Sequence, residues 1–237
     1  MNIFMRKRLR TIAVSGMLTA LLVSCGSSNN DDAPTYEFQV NIQNLTAQQP
    51  MAPFTVIAHN SDYELFSVGD PVTEGLEYLA EAGNGSFLVS EVDGLPSVYT
   101  YANHATPVGP GGNYTVSFEV EALEGLHLST ATMLVNTNDA ISGVNGTPIY
   151  DLAVGESMVI NAPTYDTGTE ANTETADTVP GPAGDGEGFN ADRSGDSGVL
   201  LMHGGVVTAD DGLATSVLGE IHRWDNPTAR FTVTRIR

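Results

Sequence analysis

Basic side chains are scarce in this sequence of 237 residues, which has 9 Lys and Arg against 29 Asp and Glu. Four of the nine lie near the start of the chain, and the sequence after residue 24 keeps 5 basic against 29 acidic side chains, a net charge of −24 with no lysine. Proteins bind nucleic acids and anionic lipids through clusters of Lys and Arg, so this composition argues against both partners. The acidic excess either keeps the protein soluble, as in a salty habitat, or binds cations.

Cysteine occurs once, at Cys25, which excludes a disulfide within the chain. A basic stretch, Arg6 to Arg10, precedes an apolar stretch, residues 11–24, that is too short for a permanent membrane span. We therefore predict a signal peptide over residues 1–24. The sequence Leu-Val-Ser before Cys25 resembles the lipobox of bacterial lipoproteins, which implies that Cys25 is acylated and becomes the first mature residue. The alternative is an ordinary secreted protein with a free thiol.

The polar residues that follow, 25–35, are predicted to form a lipidated tether, because they show no apolar periodicity. Gly26, rather than Asp, follows the cysteine, which by resemblance to enteric lipoproteins favours the outer membrane. The predicted location is therefore the bacterial cell envelope, on its periplasmic side or exposed at the surface.

Long helical patterns are also scarce after residue 35, whereas alternation of apolar and polar residues is common. Nine segments fit strands: 36–42, 53–59, 85–92, 97–102, 113–122, 127–135, 157–163, 198–204 and 229–236. We predict an all-β fold over residues 36–237, an antiparallel β-sandwich. One short helix is expected within residues 70–83, because Leu76, Leu79 and Ala80 share a helical face and Gly83 can end it.

Residues 167–197 form a long acidic loop rich in Gly and Pro, too poor in aliphatic side chains to be a core element. Its start, YDTGTEANTE, is dense in oxygen donors of the kind that calcium binds. It is not an EF-hand, because Ala171 stands where that loop needs glycine. A loop site needs a second segment, and MLVNTNDAISG, residues 133–143, delivers Asn136, Asn138 and Asp139 to the same kind of edge.

The order of these segments, with TAQQPMAPFTVIAHN before them and HRWDNPTARFTVTRI near the end, resembles the spondin N-terminal domain in its bacterial version. The resemblance covers nearly all of residues 36–237 and implies a C2-like sandwich that binds one calcium ion (Ca2+). By the same resemblance the ligands are Asp139, Asp166 and Glu170, with Asn138 and Glu174 as weaker candidates. Animal members carry cysteines and thrombospondin repeats within the protein. This chain has no cysteine after Cys25 and no such repeats, so the binding partners of the animal proteins are not expected for it.

The expected function is a non-catalytic, calcium-binding envelope lipoprotein that binds a protein or glycan, most simply as a monomer. The alternative is a hydrolase that uses either the metal-bound loop or the segment Gly195 to Gly198. That segment reads GDSG, which resembles the nucleophile segment of trypsin-like proteases, and His59 could act as its base. Ser197 would be the nucleophile, but Val rather than Gly follows the segment. No HxH or HExxH spacing supports a zinc site.

Overall fold

The computed structural model describes residues 34–193 and 195–237. The predicted signal peptide, Cys25 and most of the predicted tether lie outside the described residues. The described chain is mostly β, in two sheets of antiparallel strands, which confirms the predicted sandwich. The ten strands are β1 (Thr35–Asn44), β2 (Thr55–His59), β3 (Val98–Asn103), β4 (Asn113–Glu121), β5 (His127–Met133), β6 (Ala140–Pro148), β7 (Ser157–Ala162), β8 (Thr164–Asp166), β9 (Leu201–Met202) and β10 (Ala229–Arg235).

One sheet has the order β4-β1-β10-β7 and the other the order β3-β2-β5-β6-β8-β9. The main core lies between them because the strands alternate as the sequence indicates. In β1 every second side chain is buried, and Phe38 stacks on Phe118 of β4 with ring centroids 5.5 Å apart. Phe54, just before β2, meets Phe231 of β10 at 6.1 Å across the two sheets. These contacts place the largest apolar side chains out of water, the main favourable contribution to folding.

Helix α1 (Glu74–Ala82) confirms the predicted helix and its end at Gly83. The Thr73 side chain accepts a hydrogen bond from the backbone N–H of Leu76 at the start of the helix. Gly83 ends it in the left-handed conformation, with φ of 64° and its N–H donating to the carbonyl of Leu79.

A second helix, α2 (Ser86–Val92), replaces the strand predicted for residues 85–92. Its apolar residues Leu88 and Val92 are four positions apart, so a helix turns both to one side. They pack with α1 on the outer face of the six-stranded sheet, against residues such as Ile57 and Ile141. Residues 34–193 and 195–237 therefore contain two α-helices rather than one, and short 3-10 turns at Ala209–Asp211 and Glu220–His222. Neither α-helix in the described part of the chain is long and apolar enough to cross a membrane.

Two strands that sequence patterning did not indicate, β6 and β8, carry the candidate site at their ends. They pair in the register Ala140 with Asp166, and β8 pairs in turn with the two-residue β9, much shorter than the predicted strand 198–204. The long acidic loop packs back on the sandwich: Val179 is fully buried and forms a small apolar cluster with Val206 and Leu218. The prediction that this loop adds nothing to the core was therefore wrong at Val179.

Candidate metal centre

Asp139 and Asp166 are brought together by strand pairing. Asp139 closes the turn between β5 and β6, and Asp166 is the last residue of β8. Since Ala140 is the cross-strand partner of Asp166, the two carboxylates are neighbours at one edge of the six-stranded sheet. The turn before Asp139 is held by Thr137, whose hydroxyl donates to the carbonyl of Leu134 and accepts from the N–H of Ala140.

Asp139 is completely buried, and its two carboxylate oxygens have different surroundings. Oδ2 accepts hydrogen bonds from the N–H of Thr169 at 2.9 Å, the N–H of Glu170 at 3.1 Å and the hydroxyl of Thr167 at 2.9 Å. Oδ1 has no partner among the described residues. Burial raises the pKa of Asp139 to about 7, and the charge of Asp166 adds to the rise although these hydrogen bonds oppose it.

Asp166 shapes the loop that follows it. Its Oδ1 accepts from the N–H of Gly168 at 2.8 Å, a local turn for which Gly168 adopts a φ of +69°. Its Oδ2 accepts from the Asn172 side-chain amide at 2.6 Å. The oxygen of that amide, Asn172 Oδ1, is buried without a partner in the described chain. Asn172 is thus a site residue that sequence reasoning missed, although it lies within YDTGTEANTE.

Glu170 forms an ion pair with the side chain of Arg193. Its Oε1 accepts from Arg193 Nη1 at 2.7 Å and from Asn138 Nδ2 at 3.0 Å, while its buried Oε2 has no partner among the described residues. Burial raises the pKa of Glu170 to about 7, with Glu81 and Asp139 adding to the rise and Asn138 and Arg193 opposing it. Sequence reasoning did not foresee Arg193, which is the first Lys or Arg after Arg10.

Glu174, a weaker candidate from sequence, is built into the same cluster. It is 1% exposed and has a positive φ of 53°, which is uncommon for a residue other than glycine. Its N–H donates to Asn138 Oδ1 at 3.2 Å, and its Oε1 accepts from the N–H of Val207 at 3.2 Å. Its Oε2 is buried and unpartnered in the described chain, and burial, together with Asp139 and Asp166, raises the pKa of Glu174 to about 7. Asn138 therefore positions Glu170 and Glu174 with its two amide atoms.

Glu81, at the end of α1, was also missed. It is 2% exposed, and its Oε2 lacks a partner in the described chain. Burial raises the pKa of Glu81, while hydrogen bonds from Thr169 and Asn190 and the charge of Arg193 oppose the rise. A glutamate near a helix end is ordinarily solvated, so no sequence signal could have placed it inside.

The carboxylates share one region but do not by themselves close around an ion. Within residues 34–193 and 195–237, no three His, Cys, Asp or Glu side chains are grouped tightly enough to hold a metal alone. A cation here would need amide, hydroxyl, backbone or water oxygens as well, which is the mixed set that calcium accepts.

His203 is a buried histidine near Asp166. Its Nδ1 accepts from the N–H of Gly205 at 2.9 Å, so its proton is on Nε2, which has no acceptor in the described chain. Burial lowers the pKa of His203, against the charges of Asp166 and Asp196. Its ring packs on Trp224 with centroids 5.1 Å apart.

The two residues of the hydrolase alternative have separate surroundings. His59 is completely buried in β2, where its ring nitrogens contact the carbonyl of Asn60 at 2.6 Å and the hydroxyl of Ser129 at 2.8 Å. Ser197 is exposed, and its hydroxyl donates to the carbonyl of Val199 at 2.8 Å. No hydrogen bond joins His59 to Ser197.

Comparison with known proteins gives one family. The family model Spondin_N matches residues 41–180, more than half of the chain, and this range includes Asp139, Asp166, Glu170 and Glu174. No curated protein matches the sequence. The match begins in β1 and ends within the acidic loop, so it spans most of the sandwich and the two segments that form the acidic cluster. The chain belongs to the Spondin_N family.

Proposed function

We propose that this chain is a non-catalytic, calcium-binding module of the bacterial cell envelope. The proposal rests on three buried carboxylate oxygens that have no partner among the described residues: Asp139 Oδ1, Glu170 Oε2 and Glu174 Oε2. Buried polar atoms in folded proteins almost always have a partner, and leaving one without a partner costs about 1–3 kcal/mol. Three unpartnered carboxylate oxygens in one acidic region therefore favour a bound cation.

The donor set favours a hard ion. Asn172 Oδ1 and Glu81 Oε2 are further oxygens without a partner in the described chain, and Asp166 lies against the Asn172 amide. The unpartnered nitrogens nearby, Arg193 Nε and His203 Nε2, carry protons and are not ligands. Calcium takes six to eight oxygens and tolerates irregular geometry, whereas magnesium demands a tight octahedron and gives up water reluctantly. The ligands would be Asp139, Asp166 and Glu174, with Glu170 contributing Oε2 while Arg193 holds its Oε1.

When bound, calcium supplies positive charge where the chain concentrates negative charge. Asp139 comes from the turn between β5 and β6, and the other acids come from the loop after β8. A cation between them would cross-link these two segments and hold the long loop on the sandwich. The protein's own contribution is orientation: Thr167, Thr169 and the N–H of Glu170 fix Asp139, and Asn138 fixes Glu170 and Glu174.

Location and partner follow from other features. The lipobox-like sequence before Cys25 supports a lipid anchor in the envelope, with the outer membrane favoured by Gly26. The partner is a protein or a glycan rather than a nucleic acid, because the acidic surface opposes phosphate. The separate hydrogen-bond partners of His59 and Ser197 give the hydrolase alternative no support, so we propose no catalytic role.

Calorimetric titration with calcium tests the metal directly. We expect one ion per chain, with magnesium binding at least tenfold more weakly. Asp139→Asn should abolish calcium binding, because it removes the negative charge of the carboxylate to which the unpartnered Oδ1 belongs. Asp192→Asn is the matched control, since Asp192 is exposed in the same loop and should bind calcium like the wild type. Absence of calcium binding by the wild type, or equal loss in both variants, would reject the metal centre.

A further inference from the structure

A cleft of about 630 Å³ lies apart from the acidic cluster. It is formed by three segments that are distant in sequence: residues 45–47 after β1, residues 204–206 after β9 and residues 223–225 before β10. Its volume is within the range of small-molecule sites. None of the acidic candidates for calcium lines it.

The walls of the cleft are tied to one another. The side chain of Gln49 donates to the carbonyl of His222 at 2.9 Å, which links the segment after β1 to the segment before β10. The N–H of Leu45 donates to the carbonyl of Thr228 at 2.8 Å, and Gly205 is bonded to His203 at 2.9 Å. The cleft is therefore preformed, which lowers the entropic cost of binding.

The lining combines an aromatic face with polar backbone. Trp224, the only tryptophan in the chain, is half-buried, with one side supported by His203. Leu45 and Val206 add apolar surface beside it. The backbone N–H groups of Ala47 and Gly204 donate no hydrogen bond to any described residue, so they are free to bind a ligand.

The charges of the cleft are balanced. Arg223 is engaged by Asp211 and by Glu220, at 3.3 Å for the second pair, and Asp225 lies beside it. An anionic ligand would face Asp225 and the strongly acidic chain, and a cationic ligand would face Arg223. A ring of C–H groups carries a partial positive charge that suits the negative face of an indole, while hydroxyls suit free amides and carboxylates.

We propose that this cleft binds a neutral saccharide, with Trp224 as the stacking platform. The proposal deepens the proposed function, because it rests on the role of the chain as an envelope binding module and names the ligand class. His203 packs on Trp224, and the charge of Asp166 acts on the same histidine. His203 therefore links the cleft to the acidic cluster, although no candidate calcium ligand lines the cleft.

Tryptophan fluorescence tests the proposal, since the sole tryptophan lies in the cleft. The full chain in detergent would be titrated with neutral oligosaccharides of glucose, mannose, galactose and N-acetylglucosamine, each in calcium and in chelator. We expect a saturable change in emission with at least one of them. Trp224→Phe, followed by calorimetry, should keep part of the affinity, and Trp224→Ala should lose at least tenfold.

Two glycines provide a matched pair of variants. A side chain at Gly204 would meet no atom within 4 Å and needs no left-handed backbone, so Gly204→Leu can fold while it narrows the cleft. Gly109 is equally open but lies far away in sequence, before β4, and does not line the cleft. Gly204→Leu should weaken saccharide binding at least tenfold, and Gly109→Leu should leave it unchanged. Ala47→Leu is a second variant that fills the same cleft, for use if Gly204→Leu is unstable.

The outcomes separate this proposal from the metal centre. Saccharide binding that survives both filled-cleft variants would place the ligand elsewhere and overturn the proposal. Calcium binding with no response to any neutral saccharide would overturn the cleft proposal alone. Saccharide binding without any calcium binding would support the cleft and reject the metal. A lysine-rich peptide and a sulfated saccharide would be titrated in parallel, and a response to either of them with none to the neutral saccharides would overturn the choice of a neutral ligand.

Discussion

Asp139→Asn should stabilise the metal-free protein and remove the share of its pH dependence that Asp139 contributes. Burial raises the pKa of Asp139 in the folded chain to about 7, whereas an aspartate in an unfolded chain titrates near 3.9. The folded state therefore binds this proton more tightly. Its contribution to stability is complete below about pH 4 and is lost as the pH rises through about 7.

The magnitude follows from the difference of about three pKa units. At about 1.4 kcal/mol per unit, ionising Asp139 costs the folded, metal-free protein about 4 kcal/mol by roughly pH 8. An asparagine can keep its oxygen where Oδ2 accepts the N–H groups of Thr169 and Glu170. Because the amide still carries a desolvation cost, we expect a gain of about 2–4 kcal/mol at that pH, or at least roughly 4 °C in melting temperature.

The assay is thermal unfolding in chelator and in calcium, from about pH 5 to about pH 8. The metal-free wild type should become less stable as the pH rises, and calcium at a hundred times its dissociation constant should restore about 2.7 kcal/mol. Asp139→Asn should lose the calcium response and show a shallower decline, because the raised pKa values of Glu170 and Glu174 still oppose folding as the pH rises. Asp192→Asn should behave like the wild type. Metal-free stability that is flat or rises with pH over this interval would refute the reasoning.

Three further predictions concern the anchor, the sheet and the loop. Cys25→Ser should leave the protein unprocessed or release it from membranes in detergent partitioning, and membrane association like that of the wild type would reject the lipoprotein prediction. Gly143→Ala should lower stability by about 1–3 kcal/mol in denaturant unfolding, because its Cβ would lie 2.5 Å from a backbone carbonyl of β5, and no change would contradict this. Glu170→Gln should speed trypsin cleavage after Arg193, seen by mass spectrometry, because it breaks their ion pair. Glu187→Gln is its control, since Arg193 contacts only the backbone oxygen of Glu187, and equal acceleration would count against the ion pair.

The local pattern of apolar and polar residues was sufficient to predict the sandwich and helix α1. Alternation in β1 and β4 determined which side chains are buried, because a strand turns successive residues to opposite faces. Gly83 indicated the end of α1, because glycine readily adopts the left-handed conformation that ends a helix. The family resemblance also followed from sequence, and the Spondin_N match confirms it. The ligand set of Asp139, Asp166 and Glu170 remains a prediction, although the structure places all three in one region.

Tertiary packing decided the rest. Residues 85–92 are apolar enough for a strand, but the groove beside α1 and the six-stranded sheet buries Leu88 and Val92 only as a helix. Glu81 is surrounded by residues of the acidic loop, which is far from α1 in the sequence. Glu170 pairs with Arg193, 23 residues further along the chain. No local sequence pattern encodes either contact. Sequence determined where the oxygens are along the chain, and only the fold determined which of them are buried without partners. The physical reason is that burial and electrostatic coupling are properties of neighbours in space, which strand pairing and loop packing bring together.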